Sequence, residues 1–444
     1  MLGRLHALTR RYSLAMSRAR QQKKNAQKTA RAAGRSRDFG DDPFGIDREA
    51  KIYASGVRTV FTPHQPINEA ELLFGRKDEL RRLVETLNTP GQHVLLYGER
   101  GVGKSSLANV ATLVMRVSTG RALLVKRCDR SDTFATILQS PLKLVGADLT
   151  LSEVATTDSS SVTGSVTTPY GGGSREKAQE VARTYRATGG ISPSTVAEAI
   201  GGLDVLLLID EADAISQAND RGQLAELIKL LSDSGSRMKI MVVGIAQTGS
   251  ELTAAHPSVQ RCLKETKLRR MTDPELTEIV TTGAEILKLR FAPDVVTAIV
   301  RLSAGYPHFT HLIALKCAEE AIVNGRTDIR TNHLRDALAL AVEDAEGTLK
   351  RVYGDSVRSA TDMYRHIVAA AAGLAGEEFS AAALRAAIEA RTSEEISQGS
   401  LNNYFSQRLV SNDGSTIFRR VSQGHYRFED PRMPSYVQMI NGML

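Results

Sequence analysis

Eight residues constrain this chain more than any others: Gly98-Glu99-Arg100-Gly101-Val102-Gly103-Lys104-Ser105. The apolar run His93-Val94-Leu95-Leu96-Tyr97 precedes them and reads as a buried strand. The stretch Ser105-Ser106-Leu107-Ala108-Asn109-Val110 follows and reads as a helix. Glycines between a strand and a helix let backbone N–H groups turn inward around an anion, at the positive end of the helix dipole. The spacing is that of a loop that cradles a di- or triphosphate. Lys104 would then reach the β- and γ-phosphates, and the Ser105 hydroxyl would hold Mg²⁺. An ordinary glycine turn is the bland alternative, and the strand–loop–helix context argues against it.

About a hundred residues on, Val205-Leu206-Leu207-Leu208-Ile209 runs directly into Asp210-Glu211. An uninterrupted apolar run fits a parallel strand covered on both faces. The C-terminal ends of such strands are where open α/β sheets bind ligands. Asp210 is placed to meet Mg²⁺ and Glu211 to polarise an attacking water. Alone, the pair would read equally well as a solvated acidic turn.

The chain has 444 residues, long enough for two to four domains. Its three cysteines, Cys128, Cys262 and Cys317, lack metal or redox spacing, which suits a reducing, cytoplasmic setting. No apolar run is long enough for a membrane span. The net charge of +7 is unevenly placed. Residues 1–40 hold eleven Lys/Arg against the single acid Asp38, so the remainder is close to neutral. Residues 1–50 are read as a basic, disordered tail. Such a tail can bind nucleic acid phosphates, mimic an organellar transit peptide, or simply be solvated.

Strand and helix patterns alternate over 51–270, which predicts a parallel sheet with helices on both faces. The strands expected are 93–97, Ala122–Arg127, the acidic strand, Arg237–Ile245 and a short Thr266–Leu268. A Ser/Thr/Gly-rich stretch at 149–175 reads as a flexible insertion, either a solvated linker or a partner loop. From Thr272 the pattern is helical only, opened by the capping box Thr272-Asp273-Pro274-Glu275. Four helices at 273–289, 293–303, 308–323 and 331–345 make a helical lid over 271–346. Residues 350–444 give helices near 354–372, 380–391 and 398–409. A hairpin then follows around Ser422-Gln423-Gly424, the order of a winged helix.

The chain therefore resembles the AAA+ ATPases of the P-loop class, over roughly residues 60–345. The likeness is greatest to the Orc/Cdc6-like type and to the related STAND ATPases. Leu73-Phe74-Gly75-Arg76-Lys77-Asp78-Glu79-Leu80 is similar to the family's N-terminal box, which implies that Phe74 lies against adenine. Val243-Gly244-Ile245-Ala246-Gln247-Thr248 is similar to the sensor-1 strand, with Gln247 where asparagine is usual. The resemblance makes Arg261 the candidate for an arginine that enters a neighbouring subunit's site. Gly305-Tyr306-Pro307-His308 matches a sensor-2 motif in which His308 replaces arginine. The same Gly-x-Pro resembles STAND proteins, whose proline packs near adenine, which makes Pro307 a binding residue. A histidine there implies a weaker, pH-dependent phosphate contact and slow hydrolysis.

The resemblance implies Mg·ATP as ligand, with ADP as product, and self-association through Arg261. The ATP state would close the lid and gate assembly or DNA engagement. Residues 360–444 hold eight arginines, no lysine and nine acids, so a basic face is not evident. Arg408, Arg419, Arg420 and Arg427 can still form a local patch for duplex DNA. The alternative is a signalling or defence switch that works through a protein effector without DNA.

Overall fold

The structure, a computed structural model, describes residues 45–147, 191–245, 257–358, 361–374, 376–411 and 415–442. Its centre is a five-stranded parallel sheet: β1 (His93–Gly98), β2 (Ala122–Arg127), β3 (Val205–Asp210), β4 (Lys239–Gly244) and β5 (Leu263–Leu268). The spatial order is β2-β3-β4-β1-β5. β3 and β4 are buried along their whole length. Alternation sends Leu95, Leu207, Ile209, Ile240 and Val242 to one apolar layer with the Pro193–Ile200 and Ala218–Asp233 helices. Val94, Leu96, Leu206, Leu208, Met241 and Val243 go to the other layer with the Lys104–Thr119 helix.

β5 is twice as long as the sequence suggests. It is an edge strand, so Lys264, Glu265 and Lys267 can face water while Leu263 and Leu268 are buried. The tail expected over 1–50 needs correction at its end. Ile46–Ser55 is a helix, with Ile52 buried and Arg48 ion-paired to Glu320 at 2.5 Å. Residues 1–44 lie outside the described residues, as does the insertion at 149–175.

The helices Asp273–Leu287, Pro293–Ser303, Pro307–Val323 and Thr331–Asp344 follow the expected pattern. They are not alone: β6 (Arg290–Phe291) and β7 (Asp328–Ile329) form a short parallel pair. The stretch read as one helix over 354–372 is two helices, Gly347–Val357 and Met363–Gly373, so residue 350 falls inside the first of them. Arg358 leaves helical geometry with ψ at 89°, and Asp362 caps the second helix. Next come β8 (Glu378–Ser380) and the helices Ala381–Thr392 and Gln398–Tyr404, the latter continuing as a wide turn over Phe405–Leu409. The hairpin β9 (Phe418–Ser422) and β10 (His425–Phe428) joins β8 in an antiparallel sheet ordered β8-β10-β9. Phe379, Phe405, Phe418, Tyr426 and Phe428 pack ring against ring at centroid distances of 4.4–6.3 Å. A last helix, Met433–Gly442, was not legible in the sequence. One apolar core runs from the sheet through the four helices into this C-terminal part. Among the described residues, no helix is long and apolar enough to cross a membrane.

Candidate functional site

The C-terminal ends of β1, β3 and β4 open on a cavity of about 550 Å³. That volume is within the range of small-molecule sites. Its floor is the glycine loop. Gly101 and Gly103 take φ of 85° and 94°, a region that side-chain-bearing residues avoid. Arg100, Gly101, Val102, Gly103, Lys104, Ser105 and Ser106 all line the cavity. Gly98 does not; it is packed so tightly that a Cβ would stand 2.4 Å from the Leu268 carbonyl oxygen.

Lys104 Nζ donates to the carbonyls of Gly98 and Glu99 at 3.0 and 2.7 Å, so its charge is spent on its own loop. Burial lowers the Lys104 ammonium below the usual lysine range, against the pull of Asp213 and Asp210. Ser105 Oγ lies 3.3 Å from Asp210 Oδ1, which also accepts the Glu211 N–H at 2.9 Å. Asp210 is buried. The Ser105 hydroxyl and the Asp210 carboxylate are a small pair of hard oxygen donors. Among the described residues no cluster of three or more His, Cys, Asp or Glu could hold a metal. A sparse oxygen pair beside a phosphate cradle fits Mg²⁺, which leans on substrate phosphates and water. Glu211 has φ 57°, a left-handed conformation unusual for a residue with a side chain.

Other predicted residues separate clearly. Phe74, Pro307 and His308 line the same cavity. Glu99 turns away from it. Its carboxylate accepts from Arg270 Nε at 2.9 Å and from the Tyr306 hydroxyl at 2.5 Å. Burial alone would raise this carboxyl, but the Arg270 and Tyr306 hydrogen bonds outweigh it and hold it low. Burial and the bond to Glu99 push the Tyr306 hydroxyl up. Arg261 is exposed, pairs with Asp233 of its own chain and does not line the cavity. Gln247 lies outside the described residues.

Among the cavity residues that escaped the sequence reading are Arg432 and Glu346. Arg432, from the C-terminal part, is only 2% exposed. It pairs with Asp430 at 2.8 Å and with Glu346. A Cβ on Gly101 would come within 2.8 Å of the Arg432 Cδ, so this side chain lies on the glycine loop. Glu346 also faces Arg100 at 3.9 Å. No local pattern marks a residue whose partner is a loop more than 300 positions away.

The strand–loop–helix cradle and the acidic end of β3, meeting in one cavity, are the site of a P-loop NTPase. The family described as novel STAND NTPase 1 matches residues 63–418, most of the chain. The chain belongs to the novel STAND NTPase 1 family. Nucleotide binding is what membership in this NTPase family implies. No curated protein matches the chain. Several solved structures are similar to this STAND protein. The Walker-type ATPase PABY2304 of Pyrococcus abyssi is 16% identical, with a TM-score of 0.44 over 84% of this chain and 99% of that one. The Aeropyrum pernix ORC2 protein, in ADPNP–ADP complexes, is 16% identical, with a TM-score of 0.48 over 87% and 97%. The Aeropyrum pernix ORC1 protein, in complex with DNA, is 18% identical, with a TM-score of 0.41 over 87% and 95%.

Proposed function

We propose that this protein is a Mg·ATP-dependent switch that hydrolyses ATP slowly and uses the nucleotide to hold or release its C-terminal part. One observation carries the reading: Arg432 of that part and the glycine loop wall the same cavity. A phosphate chain entering there meets a cation already shared by Glu346 and Asp430. Any difference between ATP and ADP in competing for Arg432 would bias the docking of the C-terminal part. The division follows the sequence reading: an ATPase core to residue 270, a lid over 271–346 and a winged helix beyond.

Within the site, Lys104 would leave its loop carbonyls and neutralise β/γ-phosphate charge. Ser105 and Asp210 would hold Mg²⁺, which when bound offsets charge developing on the transferred phosphoryl group. Glu211 would polarise the attacking water; its left-handed backbone is strain of the kind stored at functional positions. Gln247 would position that water, and Arg261, freed from Asp233, would complete a neighbouring copy's site. Binding of labelled ATP and ADP to the whole chain tests this. Lys104→Ala should weaken binding by about tenfold or more. Glu211→Gln should keep binding and lower turnover by about 100-fold. Turnover that survives in Glu211→Gln removes Glu211 from its role.

A protein effector is the partner that a switch without nuclease, protease or transferase motifs would need. A second reading, duplex DNA, has its own support. The exposed face of Gln398–Tyr404 and the turn after it presents Gln398, Asn402, Asn403 and Gln407 with no carboxylate among them. Amide side chains suit adenine edges, and Arg419 and Arg420 of β9 stand ready for phosphates. ATP turnover with duplex DNA at two salt concentrations decides it. Stimulation that fades with salt supports DNA, and no response at low salt rejects it.

A further inference from the structure

Six consecutive residues, Thr62-Pro63-His64-Gln65-Pro66-Ile67, form one wall of the cavity. The walls facing it rest on regular structure. The glycine loop leaves β1, Asp210 ends β3, Gly244 ends β4, and Pro307, His308 and His311 belong to a long helix. Residues 62–67 differ: among the described residues, no backbone-to-backbone hydrogen bond reaches them. Pro63 and Pro66 have no N–H to give. Side chains hold the segment instead. The Thr62 N–H donates to His311 Nδ1 at 3.2 Å, and His308 Nδ1 donates to the Pro63 carbonyl at 2.8 Å. The Ile67 N–H donates to Ser106 Oγ at 3.1 Å, and His64 Nε2 lies 3.3 Å from Asp344 Oδ2.

Both ends of this flap are fixed. Phe61 is fully buried, and a Cβ on Gly283 would stand 2.5 Å from its ring, so Phe61 plugs the notch that this glycine leaves. Three residues earlier, Arg58 Nε donates to the buried Glu319 at 2.7 Å. At the far end, Asn109 Nδ2 donates to Asn68 Oδ1 at 2.8 Å. Between these posts the two prolines restrict the backbone, so the flap swings as one piece.

The ionic contacts on its outer side form a single chain. Glu319, which holds Arg58, faces Lys316 at 3.4 Å; Lys316 pairs with Asp344 at 2.9 Å; Asp344 reaches His64. The chain begins just before the flap and ends in its middle. Asp344 is 44% exposed at its side chain and does not line the cavity. A wall without backbone bonds, closed by a half-exposed contact, belongs to the low-stability end of a fold.

We propose that residues 62–67 are the gate by which nucleotide enters and leaves, latched from outside the cavity by Asp344. The proposal rests on the nucleotide reading above. Opening breaks the His64–Asp344 contact and the bonds to His308 and His311, while Phe61 and Asn68 stay in place. The latch touches no ligand. It sets how often the gate opens, and so changes entry and exit by the same factor.

Stopped-flow mixing of the whole chain with a fluorescent ADP analogue and Mg²⁺ measures both rates. Asp344→Ala should raise association and dissociation together, each by about twofold to fivefold, and leave the equilibrium affinity unchanged. Hydrogen exchange on the same variant should quicken at the Thr62 and Ile67 amides and stay slow in β1 and β3, which also shows that the variant is folded. Unchanged rates in Asp344→Ala would overturn the gate. So would faster dissociation alone with affinity falling in step, because Asp344 would then support the bound state and not the opening. A wild-type chain that does not bind the analogue is a different failure: it overturns the nucleotide reading, and the gate with it.

Discussion

Two histidines one turn apart on the Pro307–Val323 helix use the same ring nitrogen in opposite ways. His308 Nδ1 donates to Pro63 O, whereas His311 Nδ1 accepts the Thr62 N–H at 3.2 Å. His311 is fully enclosed, edge-on to Phe61. Charging it would place a proton on Nδ1 against the Thr62 N–H and strand a cation among apolar groups. Burial, with His308 as a lesser cause, pushes its pKa down to about 4. The unfolded histidine titrates near 6.5. Between those values the unfolded chain binds more protons, so stability is complete above about pH 6.5 and is lost as pH falls toward 4. His311 alone should cost on the order of 3 kcal/mol across that window. Denaturant unfolding at pH 7.5, 5.5 and 4.5 measures it. His311→Gln keeps an acceptor for Thr62 but does not titrate, so its stability should fall less steeply. Buried His93, with its pKa lowered to about 3, supplies a residual slope in both proteins. Identical slopes in the two proteins would exclude His311 as the cause.

At the scale of elements, legibility followed uninterrupted apolar runs. β1, β3 and β4 are central strands whose apolar runs announce them, and both loops that build the cavity leave from their ends. β5 lies at the edge, so its solvent-facing Lys264 and Glu265 hid half its length. The Ile46–Ser55 helix hid for another reason. It is held by contacts with the Pro307–Val323 helix, including Arg48–Glu320 and the Lys51 ammonium on the Val323 carbonyl, which no local pattern displays. Arg58 adds a bond to the nearly buried Glu319 at 2.7 Å. The glycine loop was legible because its chemistry is local: eight adjacent residues make it. Glu99 shows the limit of that reading. It belongs to the eight, yet its carboxylate joins Arg270 and Tyr306 and braces the glycine loop against the segment before the Pro307–Val323 helix.

On the scale of the whole molecule, Arg432 is the residue through which the seating of the C-terminal part on the site can be tested. The core shared by the sheet, the helices over 273–344 and the C-terminal part is continuous, so apolar burial supplies most of the docking. Polar contacts at the cavity then decide how firmly the C-terminal part seats on the glycine loop. Arg432 is held by Asp430 and Glu346, which keep it charged despite burial and raise its pKa further. Arg432→Ala removes a cation from between two carboxylates. Breaking a fully buried pair costs about 3–5 kcal/mol. Glu346 is 36% exposed at its side chain and can rehydrate, so about 1–3 kcal/mol is the better expectation. That is enough to loosen a docked part but not to unfold the core. Hydrogen exchange should accelerate across residues 98–105 and the Met433–Gly442 helix while the β3 and β4 amides stay protected. Bound nucleotide should dissociate faster by about tenfold, as expected for about 1.4 kcal/mol of lost closure. Arg432→Lys, which keeps the charge but loses the planar fork, should fall between the two. If exchange at the glycine loop and nucleotide dissociation are both unchanged in Arg432→Ala, Arg432 does not couple the C-terminal part to the site. The switch would then need a different contact.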